Sequence, residues 1–141
     1  MERVFLRVLF IVKDIAQFSV LLAGLQCHPE IELLPVETGA AGLLLLKGKK
    51  IDLVIVDEQL GDMSGIAFVK QLVKINPLVN TAVVSALTAE EFHEATEGLG
   101  VLMQLPIEPR EKDAETLLTT LEKIGALLQP VAPQSRKAAK P

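Results

Sequence analysis

Apolar runs of strand length and segments of helical period alternate one for one along this chain, from residue 4 to residue 128. Val4 to Val12 is β-branched and aromatic apart from Arg7. Asp14 then stands where a helix N-cap belongs, ahead of Ile15, Phe18, Leu21, Leu22 and Leu25 at helical spacing. Ile31 to Val36 is a shorter strand whose Pro35 lacks a backbone donor, which assigns it to a sheet edge. Thr38 and Gly39 open an Ala/Leu-rich helix ending near Gly48. Ile51 to Val56 is an almost continuous β-branched run, the pattern of a central parallel strand covered on both faces. After the loop Gly61 to Gly65, Ser64 is placed to cap a helix carrying Ile66, Val69, Leu72 and Val73 as far as Pro77. Thr81 to Ser85 is a fourth strand, and Thr88-Ala-Glu-Glu91 is a capping box with Gly98 as the stop. Leu99 to Gln104 reads as a fifth strand, and Ala114, Leu117, Leu118, Leu121, Ile124 and Leu128 form the stripe of a last helix. Short connections and right-handed crossovers then give an α/β fold: a doubly wound five-stranded parallel sheet with helices on both faces.

Composition narrows the function classes. Of 141 residues 50% are hydrophobic, enough for one real core, and no run reaches the roughly 18 apolar residues of a membrane span. The start lacks a secretory cleavage pattern, so the chain reads as cytoplasmic. One Cys excludes an intramolecular disulfide framework. A net charge of −4 gives no bulk attraction to nucleic acid. Residues 130–141 are Pro-rich and basic without acids, and read as a flexible tail beyond a single domain at 1–129.

Open α/β sheets bind ligands at the carboxyl ends of their strands. Those ends carry Lys13-Asp14, Asp57-Glu58, Ser85 and Leu105-Pro106. A carboxylate directly after Val54-Ile55-Val56 is costly unless something charged or hydrogen-bonding meets it. A lone Asp there is ordinarily a loop cap. Asp14 and Ser85, at strand ends expected to adjoin Asp57, tip the reading toward a functional crevice.

With these residues in view, the chain resembles the receiver domain of two-component response regulators over about residues 4–128. The strongest piece is Asp57-Glu-Gln-Leu-Gly-Asp-Met63-Ser-Gly65, similar to that family's phosphoacceptor loop. Thr81 to Ala86 resembles the strand ending in a switch Ser or Thr, and Leu105-Pro106 resembles the Lys-Pro step after strand five. The resemblance implies a flavodoxin-like, receiver-type strand order 2-1-3-4-5. It implies that Asp57 accepts a phosphoryl group from a histidine kinase or phosphotransfer protein, with Ser85 as the switch hydroxyl and a downstream protein target. It also implies a Mg²⁺ held by Asp14, Asp57 and the Gln59 backbone carbonyl. Such a protein is not an enzyme beyond transient aspartyl-phosphate formation and self-dephosphorylation.

The sequence departs from that pattern at the charged positions. The first of the paired acids is Lys13, and the Lys before the proline is Leu105. Leu102 replaces the usual aromatic switch, and Gly61 replaces a frequent Pro, which is expected to loosen the acceptor loop. An ammonium about 4 Å from a divalent site opposes the metal by roughly 4 kcal/mol per unit charge at an effective dielectric of 20. Lys13 is therefore a compensating cation, expected to pair with Asp57 or Asp14, and the Mg²⁺ site is expected to be weak or lost. Two functions follow: a working atypical receiver, or a pseudo-receiver serving as a phosphorylation-independent interaction and dimerisation module. A flavodoxin-like cofactor binder shares the topology, but no Gly-rich phosphate loop follows strand one and no Trp or Tyr exists to stack on a flavin.

Leu99, Val101, Leu102 and Met103, together with Leu105, would make the face of helix 4, strand 5 and helix 5 unusually apolar, so a homodimer or partner contact is expected there. Cys27 and His28 read as packing and helix-end residues, His93 as part of an acidic solvated face, and Arg136, Lys137 and Lys140 as a solubilising end.

Overall fold

The computed structural model describes residues 6–123. Five parallel strands, β1 (Leu6–Ile11), β2 (Ile31–Val36), β3 (Leu53–Val56), β4 (Asn80–Val84) and β5 (Met103–Leu105), form one sheet in the order β2-β1-β3-β4-β5. Between and after them lie α1 (Ser19–Gln26), α2 (Gly39–Gly48), α3 (Gly65–Ile75), α4 (Ala89–Ala95) and α5 (Glu111–Lys123). This is the doubly wound arrangement that the alternation of apolar runs dictates.

The period of two along each strand divides the core into two halves. Val8, Phe10 and Val12 of the first strand segment, Leu53 and Ile55 of β3, and Ala82 and Val84 of β4 face α1 and α5. Leu9, Ile11, Val54, Val56 and Val83 face the other way, against Phe68, Val69 and Leu72 of α3 and Phe92 of α4. Phe10 and Phe18 meet edge to face, with centroids 5.5 Å apart and planes at 89°, seating the start of the first helical segment on β1. Gly24 lets α1 approach α5: a Cβ there would lie 2.9 Å from the Ala114 Cβ. Pro35 does sit on an edge strand, opposite Phe10 of β1.

Four expectations need correction or trimming. The first helical segment opens as a 3-10 turn, Ile15–Phe18, before α1 begins; Ile15 is thereby turned out of the apolar stripe and is 44% exposed. The fifth strand is shorter than Leu99 to Gln104. Gly98 and Gly100 take φ of +84° and +71°, which bend the chain through 98–101 before it can pair. Pairing with β4 then begins at Met103, opposite Ala82. The loop after Asp57 is tied down despite Gly61, by a bridge between Gln59 and Ser64 and by burial of Leu60. Finally, Val4, Ile124, Leu128 and the tail 130–141 lie outside the described residues.

Candidate functional site

The register aligns Ile11, Val56 and Val83 in one row across three adjacent strands. Lys13 and Asp14, Asp57, and Ser85 therefore leave the sheet at nearly the same level, along one edge. Asp57 N still donates to Ile11 O at 3.0 Å, so β1 holds its backbone while the side chain passes the sheet end.

The Asp57 carboxylate is half-buried, and Oδ1 accepts from Glu58 N at 2.8 Å. Burial pushes its pKa above the usual range. The Glu58 N–H bond opposes that, the Glu58 charge adds to it, and the Lys13 charge pulls weakly the other way. Lys13 is exposed and makes no ion pair with Asp57 or Asp14. Its influence on Asp57 is thus the smallest of the four named causes. Asp14 is exposed, and one of its oxygens is spent as the cap of the 3-10 turn, accepting from Ala16 N at 3.1 Å.

Ser85 is 6% exposed and directly follows β4. Its backbone N donates to Leu105 O at 3.0 Å, and its Oγ accepts from Leu87 N at 3.1 Å, leaving the hydroxyl proton to donate. Leu105 is fully buried in the core half shared with α1 and α5, and Leu102 and Met103 pack against that same half. Leu105 therefore adds nothing to an apolar outer surface, and it supplies no positive group to the crevice. Leu99 and Val101 likewise pack inward, against the opposite half of the core.

The loop after Asp57 is built by close backbone approach. Gly65 N donates to Glu58 O at 2.9 Å and Leu60 N to Met63 O at 2.8 Å, so Gln59 and Ser64 form a non-hydrogen-bonded antiparallel pair. That bridge leaves the Gln59 carbonyl unused. Three residues to which the sequence assigned no role complete the site. Glu58 Oε1 accepts from Ala86 N at 3.0 Å, joining the acceptor loop to the loop after β4. Gln104 Nε2 donates to Ser85 O at 3.1 Å and Leu87 O at 2.8 Å. Asp62 accepts from Gly39 N at 2.9 Å and Ala40 N at 3.0 Å, fastening the acceptor loop to the first turn of α2, and these bonds hold its carboxyl below the usual range. Glu58 is adjacent to the motif residue Asp57, but no linear spacing reveals a bond to a residue 28 positions away.

A family model, response regulator receiver domain, matches residues 9–106. The chain belongs to this family. Among solved structures, this receiver is similar to the chemotaxis response regulator CheY4 of Vibrio cholerae, at 19% identity and a TM-score of 0.73, covering 83% of this chain and 99% of that one. A CheY-like receiver domain protein from Methanospirillum hungatei matches at 19% identity and a TM-score of 0.73, over 84% of this chain and 95% of that one. The signal receiver domain of an HD domain-containing protein from Pseudomonas fluorescens matches at 17% and 0.73, over 87% and 91%. At these identities the likeness is one of fold. A comparison with curated proteins finds no match.

Receiver domains bind Mg²⁺ at the phosphorylation site. Here, among the described residues, no three His, Cys, Asp or Glu side chains are arranged to hold a metal. Two carboxylates, Asp14 and Asp57, and the unused Gln59 carbonyl remain as oxygen donors, with an ammonium at the position before Asp14. This donor set fits a hard cation held weakly. Among the described residues no helix is long and apolar enough to cross a membrane.

Proposed function

We propose that this chain is an atypical but competent receiver in two-component phosphorelay signalling, taking a phosphoryl group on Asp57 from a histidine kinase or phosphotransfer protein. The observation that carries this reading is the position of Asp57. Its carboxylate stands half-open at the sheet edge, between the ends of β1 and β4, on a loop braced by backbone contacts.

The chemistry is one displacement. A carboxylate oxygen of Asp57 attacks phosphorus, the bond from phosphorus to the donor's leaving atom breaks, and the leaving group departs with that electron pair. Glu58 N orients Oδ1, and Ser85 offers a hydroxyl proton to a phosphoryl oxygen. Asp14, Asp57 and the Gln59 carbonyl would hold a weak Mg²⁺, which when bound neutralises charge on the phosphoryl oxygens. Lys13 supplies a second, solvent-facing positive charge. Burial raises the Asp57 pKa, so its carboxylate is less well solvated and more basic than an exposed one, which favours nucleophilic attack.

The loops around Asp57 also expose Ile15 at 44%, Leu87 at 41% and Ile107 at 41%. An apolar rim of this kind fits a protein donor and a protein target, with the signal leaving through protein contacts. Turnover is confined to formation and loss of the aspartyl phosphate. Incubation with acetyl phosphate and Mg²⁺, followed by intact mass, tests the proposal: one phosphoryl group is gained, and Asp57→Asn gains none. An unmodified wild type would reject it.

A second reading, a pseudo-receiver that docks partners without phosphorylation, draws on the burial of Leu105, which leaves the crevice without the family's ammonium. The same mass measurement separates the two.

A further inference from the structure

The loop after β4 is held from two sides. Gln104 Nε2 bonds the carbonyls of Ser85 and Leu87, and Ser85 Oγ bonds Leu87 N, so the intervening Ala86 peptide has little freedom to turn. Its N–H faces the acceptor loop, where an oxygen anion already meets it: Glu58 Oε1 at 3.0 Å. An N–H that binds a carboxylate oxygen next to Asp57 suits a phosphoryl oxygen carried by Asp57, since both are charge-assisted bonds to the same donor. One N–H proton serves one of them well.

We propose that Glu58 is a positioning residue acting as an internal competitor: it occupies the Ala86 amide in the unmodified chain and must give it up before a phosphoryl group on Asp57 can be bound there. This inference rests on Asp57 being the acceptor. Glu58 opposes modification in two ways. It takes a donor that the developing phosphoryl charge requires, and its own negative charge sits beside that charge. The burial of Leu105 sharpens the effect, because no ammonium from that position offsets the added anion. A role limited to stabilising the loop makes the opposite prediction, since loosening the loop would then slow modification.

Three variants separate the contributions. Glu58→Gln keeps an acceptor oxygen and loses the charge; Glu58→Asp keeps the charge and lacks the reach to Ala86; Glu58→Ala loses both. The full chain and each variant are incubated with acetyl phosphate and Mg²⁺, and modification is followed by intact mass. In parallel, the Ala86 amide resonance and its hydrogen exchange are read by NMR before any phosphodonor is added. Competition predicts about a fivefold faster modification for Glu58→Ala, with smaller gains for Gln and Asp, and an Ala86 amide that shifts and exchanges faster in Ala and Asp. Rates at or below wild type in all three variants overturn the proposal, as does an Ala86 amide unmoved by Glu58→Ala. If no form is modified while Ala86 responds, the acceptor reading of Asp57 fails and the competition falls with it. An unmoved Ala86 in a chain that is modified removes the competition alone.

Discussion

Lys13 shows how one charge redefines a crevice. It is exposed and unpaired with either neighbouring carboxylate, so its effect on a cation at Asp14 and Asp57 is through-space repulsion, reduced by screening. Lys13→Asp is expected to tighten Mg²⁺ binding by about tenfold in a calorimetric titration; an unchanged affinity, tight in both forms, would show that Lys13 is irrelevant to the metal. Asp57 carries a cost of the opposite kind. Because its folded pKa is raised, the ionised form destabilises the fold above that pKa, and the penalty disappears as pH falls below the unfolded value. Asp57→Asn should therefore raise the melting temperature slightly at neutral pH, the effect being small because solvent screens a half-open group. The gain should vanish in acid. Asp62 has the reverse sign. Its lowered pKa means that its two amide bonds stabilise the fold above the unfolded pKa and lose that effect as pH falls through the folded one. Asp62→Ala should melt earlier than wild type at neutral pH and converge with it in acid, as followed by circular dichroism.

The elements themselves were legible where local chemistry decides them. Thr88 and Glu91 form the reciprocal capping box that their spacing announces, with Glu91 N donating to Thr88 Oγ1 at 3.1 Å and Thr88 N to Glu91 Oε1 at 3.1 Å. Ser64 and Thr38 cap α3 and α2 in the same way. Thr88→Ala should cost about 1 kcal/mol in urea unfolding, the ordinary worth of such a cap. Asp14 is legible as a cap too, but its 3-10 turn is not, since apolar spacing cannot tell a tight first turn from a regular one. The fifth strand is shorter than its apolar run suggests, because such a run carries no sign of where two glycines bend the chain. Tertiary approach is also invisible in sequence: a Cβ on Gly65 would strike the Asp57 carbonyl oxygen and lie 3.3 Å from Glu58 Cα. Gly65→Ala is expected to cost about 2–3 kcal/mol by denaturant titration, and to disturb the acceptor loop as it does so.

At the scale of the whole molecule, strand patterning and crossover handedness carried the doubly wound parallel sheet, while the order β2-β1-β3-β4-β5 was implied by the resemblance to receiver domains. The contacts of Glu58, Gln104 and Asp62 followed from neither, because each spans many residues and depends on loops that only the finished fold brings together. The expected homodimer contact depends on an apolar outer face near the fifth strand. With Leu105 fully buried and Leu102 and Met103 packed on the core, most of that apolar area is consumed internally. Leu99, Val101, Leu102 and Met103 stay partly exposed on that face, and light scattering at high concentration tests a homodimer there: a monomer at every concentration, phosphorylated or not, counts against it.

Asp62 grips the opening turn of α2 from the same loop whose Glu58 grips the segment leading into α4. A disturbance at Asp57 is consequently split between two levers on one flank of the sheet. Any rearrangement that begins there will tug both helices at once, and amide protection in the first turn of α2 should rise and fall in step with that of Ala86.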